Sequence, residues 1–438
     1  MVETASIKRR ALFSLWVSMV LTLSSGTGWA QLRVIGNVHS SVGFSDNVLG
    51  SVDGTVGDVA DGFVSVSPRV TLGYEGATTL HYLEYTFNYF LYMQHPDVST
   101  YGNRLGYSVS VQPSAHTRLS FSAGGTQGKR QVFNLLEGAD RSDPNVLADD
   151  RISETFVSFD AVQGLTWEIT PVWELLQSIA FEAVIPLESD RSESKNYTVG
   201  GRFGVGRTFS FDALGLVVGV DFFTFGEVEI EGSDPQPEQH GLASQTYLQW
   251  LHDLTPAWST ELRGGVTAAV NPDDPDVHIV HPLAFGAIRY RRERWRLGLE
   301  AEHSAEPDLL TSRMTLDNAV RLNASYPLDR EGKWVTQATA GYRYSIFYAP
   351  GDWTPLADGY HGILCDAALS WGATRFLFLD VRYQFMRVSS SGGIGQFADG
   401  GAVTQHTAML GLTLTYPPEG IPLRVPSLRR TRADRGLR

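Results

Sequence analysis

The sequence has little cysteine, few charged residues and no long apolar run. Cys365 is the one cysteine among 438 residues, so no disulfide within the chain can stabilise it. Charged residues make up 19% of the chain, below the roughly 25% usual in soluble domains. No apolar run reaches the ~18 residues of a membrane helix, which excludes a bundle of such helices. The net charge of −13 argues against a nucleic-acid binder, which would need a basic face.

Motifs of hydrolytic enzymes are also missing. The chain contains neither a Gly-x-Ser-x-Gly nucleophile elbow nor a His-Glu-x-x-His zinc motif. His278 and His281 lie near Asp273–Asp276, but two histidines and carboxylates without EF-hand spacing are weak grounds for a metal site. We therefore expect no enzymatic activity, no cofactor and no metal. The alternative is a catalytic site assembled across several strands, which leaves no sequence motif.

The first thirty residues have the pattern of a secretory signal peptide. A basic segment, Lys8 to Arg10, precedes the apolar stretch Ala11–Leu23. Gly28 and Ala30 supply the small residues of a cleavage site. We expect residues 1–30 to be removed and the chain to be exported; the alternative is a single membrane anchor.

The remaining chain alternates between apolar and polar residues, which predicts β-strands. In Thr404–Tyr416, His406, Ala408, Leu410, Leu412, Leu414 and Tyr416 share one face. A period of two places alternate residues on opposite faces of a strand. The segments His81–Leu91 and Arg375–Phe385 repeat the pattern.

The connections between these segments are alternately short and long. This rhythm predicts a transmembrane, antiparallel, up-and-down β-barrel of about eighteen (16–18) strands over residues 31–416, with short periplasmic turns and long extracellular loops. A soluble propeller, the main alternative, should show repeats of about 40–50 residues, and none is present. The short connections fall near 75–78, 113–117, 168–172, 209–212, 253–257, 290–294, 327–332 and 372–375. The long ones fall near 45–61, 93–103, 124–152, 185–196, 226–242, 270–282, 302–313, 345–361 and 386–403.

Tryptophan is concentrated beside the predicted short turns, and only Trp353 lies in a long loop. Indole rings prefer the membrane–water interface, so this distribution predicts an aromatic girdle at the periplasmic rim. In a soluble protein these residues would instead belong to a core. The predicted girdle residues are Trp167, Trp173, Trp250, Trp258, Trp295, Trp334 and Trp371.

Charged residues within the strands fall on the face opposite the apolar one. Charge on the lipid face of a barrel strand is penalised by about 2–4 kcal/mol at the bilayer midplane, so we expect these residues to line the lumen. They would shape ion or solute passage, or alternatively pair and rigidify a filled barrel. The predicted lumen residues are Glu84, Glu174, Glu182, Arg202, Asp221, Glu261, Arg263, Arg296, Glu300, Asp317, Arg321, Arg343, Asp366, Asp380 and Arg382.

The predicted loops and the C-terminal tail differ in charge. The outer loops are acidic, with Asp46, Asp53, Asp58 and Asp61 in the first, Glu227, Glu229, Glu231, Asp234 and Glu238 in the fifth, and Asp273, Asp274 and Asp276 in the sixth. We interpret them as a solvated rim, and the third loop, Gly124–Arg151, as a segment that could fold into the lumen. The tail, Pro417–Arg438, is rich in arginine. With an even strand count both termini lie in the periplasm, where the tail would bind an acidic partner or be disordered.

Two turns and the last strand carry a family resemblance. Thr170-Pro171-Val172-Trp173 and Thr255-Pro256-Ala257-Trp258 share one design, and Leu412–Tyr416 resembles the terminal signal read by the barrel-assembly machinery, although a tail follows it. With the signal peptide and the loop rhythm, most of the chain resembles porin-like outer-membrane β-barrel families of Gram-negative bacteria. The resemblance implies residence in the outer membrane, among its lipids.

The barrel also resembles the myxobacterial polysaccharide-secretion porins of the Wzp type in size, strand count and lack of an enzymatic site. That resemblance implies export of a polysaccharide together with a periplasmic export protein, to which the basic tail would dock. Lumen residues such as Tyr82, Asn88, Tyr247 and Gln249 would contact the sugar. The alternatives are a general diffusion porin and a closed barrel with a structural or surface-binding role.

Overall fold

A computed structural model describes residues 31–48, 59–131, 153–187, 195–226, 238–292, 294–309, 313–348, 353, 355–390 and 402–417. The predicted signal peptide, residues 132–151 of the third loop and the tail beyond 417 lie outside the described residues, as do Asp53, Asp58 and most of the acidic fifth loop. In the described part, no helix is long and apolar enough to cross a membrane.

Eighteen antiparallel strands of the described chain form one closed barrel. The first strand pairs with both the second and the last, so the sheet has no free edge. The predicted fold class and strand number are confirmed. The strands are β1 (Gln31–Ser45), β2 (Asp61–Glu75), β3 (Thr79–Tyr92), β4 (Thr100–Ser114), β5 (Thr117–Gln131), β6 (Ser153–Thr170), β7 (Trp173–Pro186), β8 (Asn196–Thr208), β9 (Asp212–Phe225), β10 (Gln239–Asp253), β11 (Trp258–Val270), β12 (His278–Arg292), β13 (Trp295–Asp308), β14 (Arg313–Pro327), β15 (Trp334–Tyr348), β16 (Pro355–Gly372), β17 (Leu377–Ser390) and β18 (Ala402–Tyr416).

The outer face of the wall is made of large apolar side chains. Val381 is 56% exposed, and its partner across the ladder, Leu410, is 54% exposed. Because side chains alternate along a strand and neighbouring strands stay in register, most apolar residues on this face pair with other apolar residues. The alternation read from the sequence is therefore the inside–outside pattern of the barrel.

Three of the short turns share a hydrogen-bonded threonine. The Thr170 hydroxyl accepts the backbone N–H of Trp173 at 3.1 Å, and Thr255 accepts that of Trp258 at 3.1 Å. Such a local bond fixes a tight turn, so the tryptophan enters the next strand at its first residue. Thr374 repeats the arrangement with Leu377 at 3.1 Å.

At the outer rim the strands run further than predicted. Residues 124–131, predicted in the third loop, form the last part of β5, β12 begins at His278, and β17 continues to Ser390. Outward positions there are polar, as at Lys129, so the apolar alternation fades although the ladder still pairs Lys129 with Tyr101. The predicted loop boundaries are wrong at these three places, for that reason on β5 and β17; on β12 the outward Val280 is apolar and 61% exposed.

Candidate functional site

The structure places all of the predicted charged residues on the inner face of the barrel. Asp380, for example, lies between the outward-facing Leu379 and Val381, and Glu300 lies between Leu299 and Ala301. Prediction missed other inner charges, including Arg289, because the run of arginines around Arg291 hides the alternation. The predicted residues on this face are Glu84, Glu174, Glu182, Arg202, Asp221, Glu261, Arg263, Arg296, Glu300, Asp317, Arg321, Arg343, Asp366, Asp380 and Arg382.

Many inner charges form ion pairs between strands. Arg104 Nη2 lies 3.0 Å from Asp160 Oδ1, and Arg69 Nε lies 3.5 Å from Glu84 Oε1. These pairs hold side chains against the wall rather than across the lumen. Part of the charge therefore stabilises the wall, as the alternative interpretation expected. Arg382 pairs with Asp366, and Arg343 pairs with Asp317.

The most connected inner carboxylate is Glu261 on β11. It accepts hydrogen bonds from Arg263 Nε at 2.9 Å, Gln249 Nε2 at 2.9 Å and Arg289 Nη1 at 3.0 Å. Arg289 also reaches Glu300 at 3.0 Å. Gln249 is only 2% exposed in this network, so its expected contact with a passing sugar is wrong.

Arg263 is also held by aromatic rings. Its guanidinium lies 4.7 Å from the ring centroid of Phe285 and 5.9 Å from that of Tyr247. Cation–π contacts of this kind favour a fixed orientation of the arginine. Tyr247 therefore faces the lumen and contacts Arg263 on the inner face of the wall.

The upper part of the β13–β14 hairpin leaves the wall and enters the lumen. Pairing between β12 and β13 ends at Ala284 opposite His303, although both strands continue beyond this pair. Behind the hairpin, His281 of β12 hydrogen bonds directly to Tyr348 of β15. This contact joins β12 and β15, which are not neighbours in the ladder. We call residues 304–309 and 313–316 the inner hairpin.

Asn196, at the start of β8 and five strands from β13 around the ring, binds the tip of the inner hairpin. Its Nδ2 donates to the carbonyl oxygen of Leu309 at 2.6 Å, while its Oδ1 accepts the N–H of Gly226 at 3.0 Å. Asn196 is buried. Since five strand steps separate β8 from β13 in the ring of eighteen, the hairpin tip spans the part of the lumen between these two strands.

Apolar packing holds the inner hairpin in this position. Leu309 and Met314 join a buried cluster with Phe223 and Phe225 of β9. Trp353 completes it, 4% exposed and with its ring centroid 5.9 Å from that of Phe223. Full burial of one such side chain contributes about 1.5–3 kcal/mol. The predicted long loop near 302–313 is therefore largely a constriction built from strands.

A second apolar cluster lies on the opposite side of the outer mouth. Phe63, Phe90 and Tyr92 pack there with Val48 and Val98 from the first two loops. The ring centroids of Phe63 and Phe90 are 4.3 Å apart. Together the two clusters narrow the outer mouth from both sides.

The first-loop carboxylate Asp61 is an anchor rather than part of a solvated rim. Its Oδ2 accepts the backbone N–H of Gln94 at 2.9 Å and of His95 at 3.0 Å. The side chain of Asp61 is fully buried and pairs with the His95 ring at 3.2 Å. The interpretation of Asp61 as part of a solvated acidic rim is therefore wrong. Its buried carboxylate joins the end of the first loop to the start of the second.

Carboxyl groups outnumber cations around Glu306 at the constriction. Glu306, on the inner face of β13, lies within electrostatic range of Glu302, Asp317, Asp221 and Arg202. Asp317 is already paired with Arg343. Among the described residues, the constriction therefore brings four carboxyl groups together near Arg202.

The predicted tryptophans form one outward-facing band at the rim with the short turns. Trp334 and Trp371 stack with ring centroids 5.5 Å apart, and Trp250 Nε1 donates to Asp212 Oδ1 at 2.9 Å. An apolar belt bounded by aromatic residues around a closed antiparallel barrel marks one class of protein. The architecture is that of an outer-membrane β-barrel. The band contains Trp167, Trp173, Trp250, Trp258, Trp295, Trp334 and Trp371.

The two histidines considered for a metal do not converge. His278 faces outward, with Nδ1 3.0 Å from the carbonyl oxygen of Asp276, whereas His281 faces inward to Tyr348. A spacing of three residues in a strand puts them on opposite faces. Within the described ranges, no group of three potential ligands could hold a metal ion.

Comparisons with known proteins give likenesses to solved structures only. No family model matches the sequence, and no curated protein matches it. OccK2 (OpdF) of Pseudomonas aeruginosa is 11% identical, with a TM-score of 0.46 over 88% of this chain and 98% of that one. The outer membrane protein OpdK of the same organism is 12% identical, with a TM-score of 0.43 over 88% and 99%. The siderophore receptor PirA, also from Pseudomonas aeruginosa, is 10% identical, with a TM-score of 0.42 over 88% and 80%.

Proposed function

We propose that the protein is an outer-membrane channel for hydrophilic molecules. The observation that carries the proposal is the closed eighteen-stranded wall with an apolar outside and a charged inside. A barrel of 16–18 strands encloses an aqueous lumen unless a plug fills it. In the described chain the lumen is narrowed by the inner hairpin and by the two apolar clusters.

The barrel is oriented by its aromatic band. The band lies at the rim where β1 begins and β18 ends. Short turns mark the periplasmic side of such barrels, so both ends of the barrel domain face the periplasm in this proposal. The barrel-assembly machinery would insert it, reading the strand that ends at Tyr416.

A liposome-swelling assay tests the proposed function. Vesicles that contain the purified full-length protein should swell in solutions of small neutral sugars, and more slowly as the sugar becomes larger. Vesicles without protein give the baseline. Swelling indistinguishable from that baseline for every sugar would contradict the proposal and favour a closed barrel with a structural or surface-binding role.

The narrower proposal is export of a polysaccharide together with a periplasmic export protein. Its support is the resemblance to the Wzp-type secretion porins and the inner-face positions of Tyr82, Asn88 and Tyr247. Deleting the gene should remove or reduce surface polysaccharide in the native host. Unchanged polysaccharide in the deletion strain, with sugar uptake lowered, would favour a general diffusion porin instead.

A further inference from the structure

A long apolar groove crosses the outer surface of the barrel. Its volume is about 1360 Å³, and its lining runs from β7 to β15. Small outward residues form its floor where Gly264 pairs with Ala284 and Gly286 pairs with Ala301. Leu248, which is 65% exposed, lines the groove beside these small residues.

The barrel itself does not require the small residues. A Cβ atom added at Gly264 would have no atom within 4 Å, and one at Gly286 would meet only Leu262 at an ordinary 3.5 Å. Larger side chains would therefore fit without strain, as they do at most outward positions of the wall. The groove is therefore open on the outer face of the barrel, and in a membrane a lipid or another protein would fill it.

The periplasmic end of the groove carries a cation. Arg207 faces outward near the end of β8, and its guanidinium lies 5.4 Å from the Trp173 ring and 4.9 Å from the Phe209 ring. Both rings also line the groove. Among the described residues no carboxylate forms an ion pair with Arg207, so its charge faces the lipid interface.

We propose that this groove binds one glycerophospholipid of the periplasmic leaflet. The phosphate would pair with Arg207, because guanidinium groups match phosphate oxygens in geometry and charge. The acyl chains would lie over Gly264, Ala284 and Gly286.

The position of Arg207 at the periplasmic end of the groove favours a phospholipid of the periplasmic leaflet over other occupants. A lipid of the outer leaflet would bring its phosphates to the other side of the membrane. The end of the groove away from Arg207, where His303 Nδ1 lies 2.7 Å from Asn318 Oδ1, has no arginine or lysine among the described residues of its lining. A second barrel would present an apolar outer face, which gives Arg207 no anion. The inference goes beyond the proposed channel and rests on its location in the outer membrane.

Native mass spectrometry of the full-length protein tests the proposal, with dioleoyl phosphatidylglycerol as the probe. The wild type should retain one lipid. The double variant Gly264→Leu with Gly286→Leu, which fills the floor, and Arg207→Gln, which removes the charge, should each lower retention by about tenfold. Gly201→Leu is the matched control, since it adds the same side chain on the outward face of β8 outside the groove.

The outcomes separate the occupants. Equal retention by the filled variant and Gly201→Leu would overturn the proposal, as would retention of lipid A in preference to phospholipid. A dimer in the wild type that the filled variant loses would assign the groove to a second copy. Migration of the unheated protein on gels confirms that each variant folds, and bilayer conductance reports the proposed channel separately from lipid binding.

Discussion

Several inner-face residues form hydrogen bonds within the barrel wall or between its loops, and are therefore structural. Glu261 is buried under two guanidiniums and one amide, and Asp61 joins two loops. Inner charge was predictable from alternation, because a strand has only two faces. Which charges are buried was not predictable, since it depends on the neighbouring strands that each side chain meets.

Replacing Glu261 should destabilise the barrel. Glu261→Ala leaves Arg263 and Arg289 without their shared partner, and the side chains are partly exposed, at 21% and 45%. We expect a loss of about 1–3 kcal/mol, below the cost of breaking a fully buried pair. Urea unfolding in lipid vesicles, followed by tryptophan fluorescence, measures it. Glu331→Gln, which breaks an exposed pair with Lys333, is the control and should change little; an equal loss in both variants would contradict the prediction.

The periplasmic turn at Asp329 should make stability depend on acid pH. The backbone N–H of Trp334, at 2.9 Å, and that of Lys333 hold the pKa of Asp329 below its ordinary value. A group whose pKa is lower in the folded state stabilises the fold above its unfolded pKa, and this contribution is lost as pH falls through the folded pKa. Asp329→Asn should therefore flatten the acid side of the stability profile. Unfolding measured from about pH 6 to about pH 2 checks this; an unchanged slope would count against it.

At the scale of elements, the strands and short turns were predictable and the inner hairpin was not. Alternation and turn chemistry act over a few residues, so eighteen strands could be read from the sequence. The hairpin depends on contact between Asn196 and Leu309, which are 113 residues apart. Its one local signal is the pair of apolar inner positions at Phe223 and Phe225, where the alternation breaks.

Releasing the inner hairpin should alter the current through the barrel. Asn196→Ala removes the hydrogen bond to Leu309 and leaves the N–H of Gly226 without its partner. We expect larger and noisier single-channel currents, because the tip loses its hydrogen bond to β8 and keeps the apolar contacts of Leu309 and Met314. Asn323→Ala is the matched control, since Asn323 accepts a hydrogen bond only within the wall, from Thr339 at 3.1 Å. Identical currents in both variants would show that the tip does not limit flow.

For the whole molecule, the distribution of charge matters more than its sum. The net charge of −13 combines acidic outer loops, a mixed inner wall and an arginine-rich tail. In the described part of the chain, the carboxyl groups around Glu306, together with Arg202, lie at the narrow part of the lumen, where charge acts on passing ions at close range. The ion selectivity of the proposed channel should therefore depend on the charged groups at the constriction rather than on the net charge of the chain.

The channel should prefer cations. In a salt gradient across a planar bilayer, the reversal potential should have the sign of cation flow, and the double variant Glu302→Gln with Glu306→Gln should reduce it. Glu75→Gln is the control, because Glu75 pairs with Arg33 at 3.5 Å far from the constriction. A reversal potential that the control changes as much as the double variant would place selectivity elsewhere.

Single-channel recording of the purified full-length protein in planar bilayers tests the central claim most directly. The barrel should give steady, ohmic openings, and a variant without residues 306–314 should give larger ones because the tip no longer crosses the lumen. No conductance from either protein, each shown to be folded and inserted, would contradict the channel and leave a closed barrel.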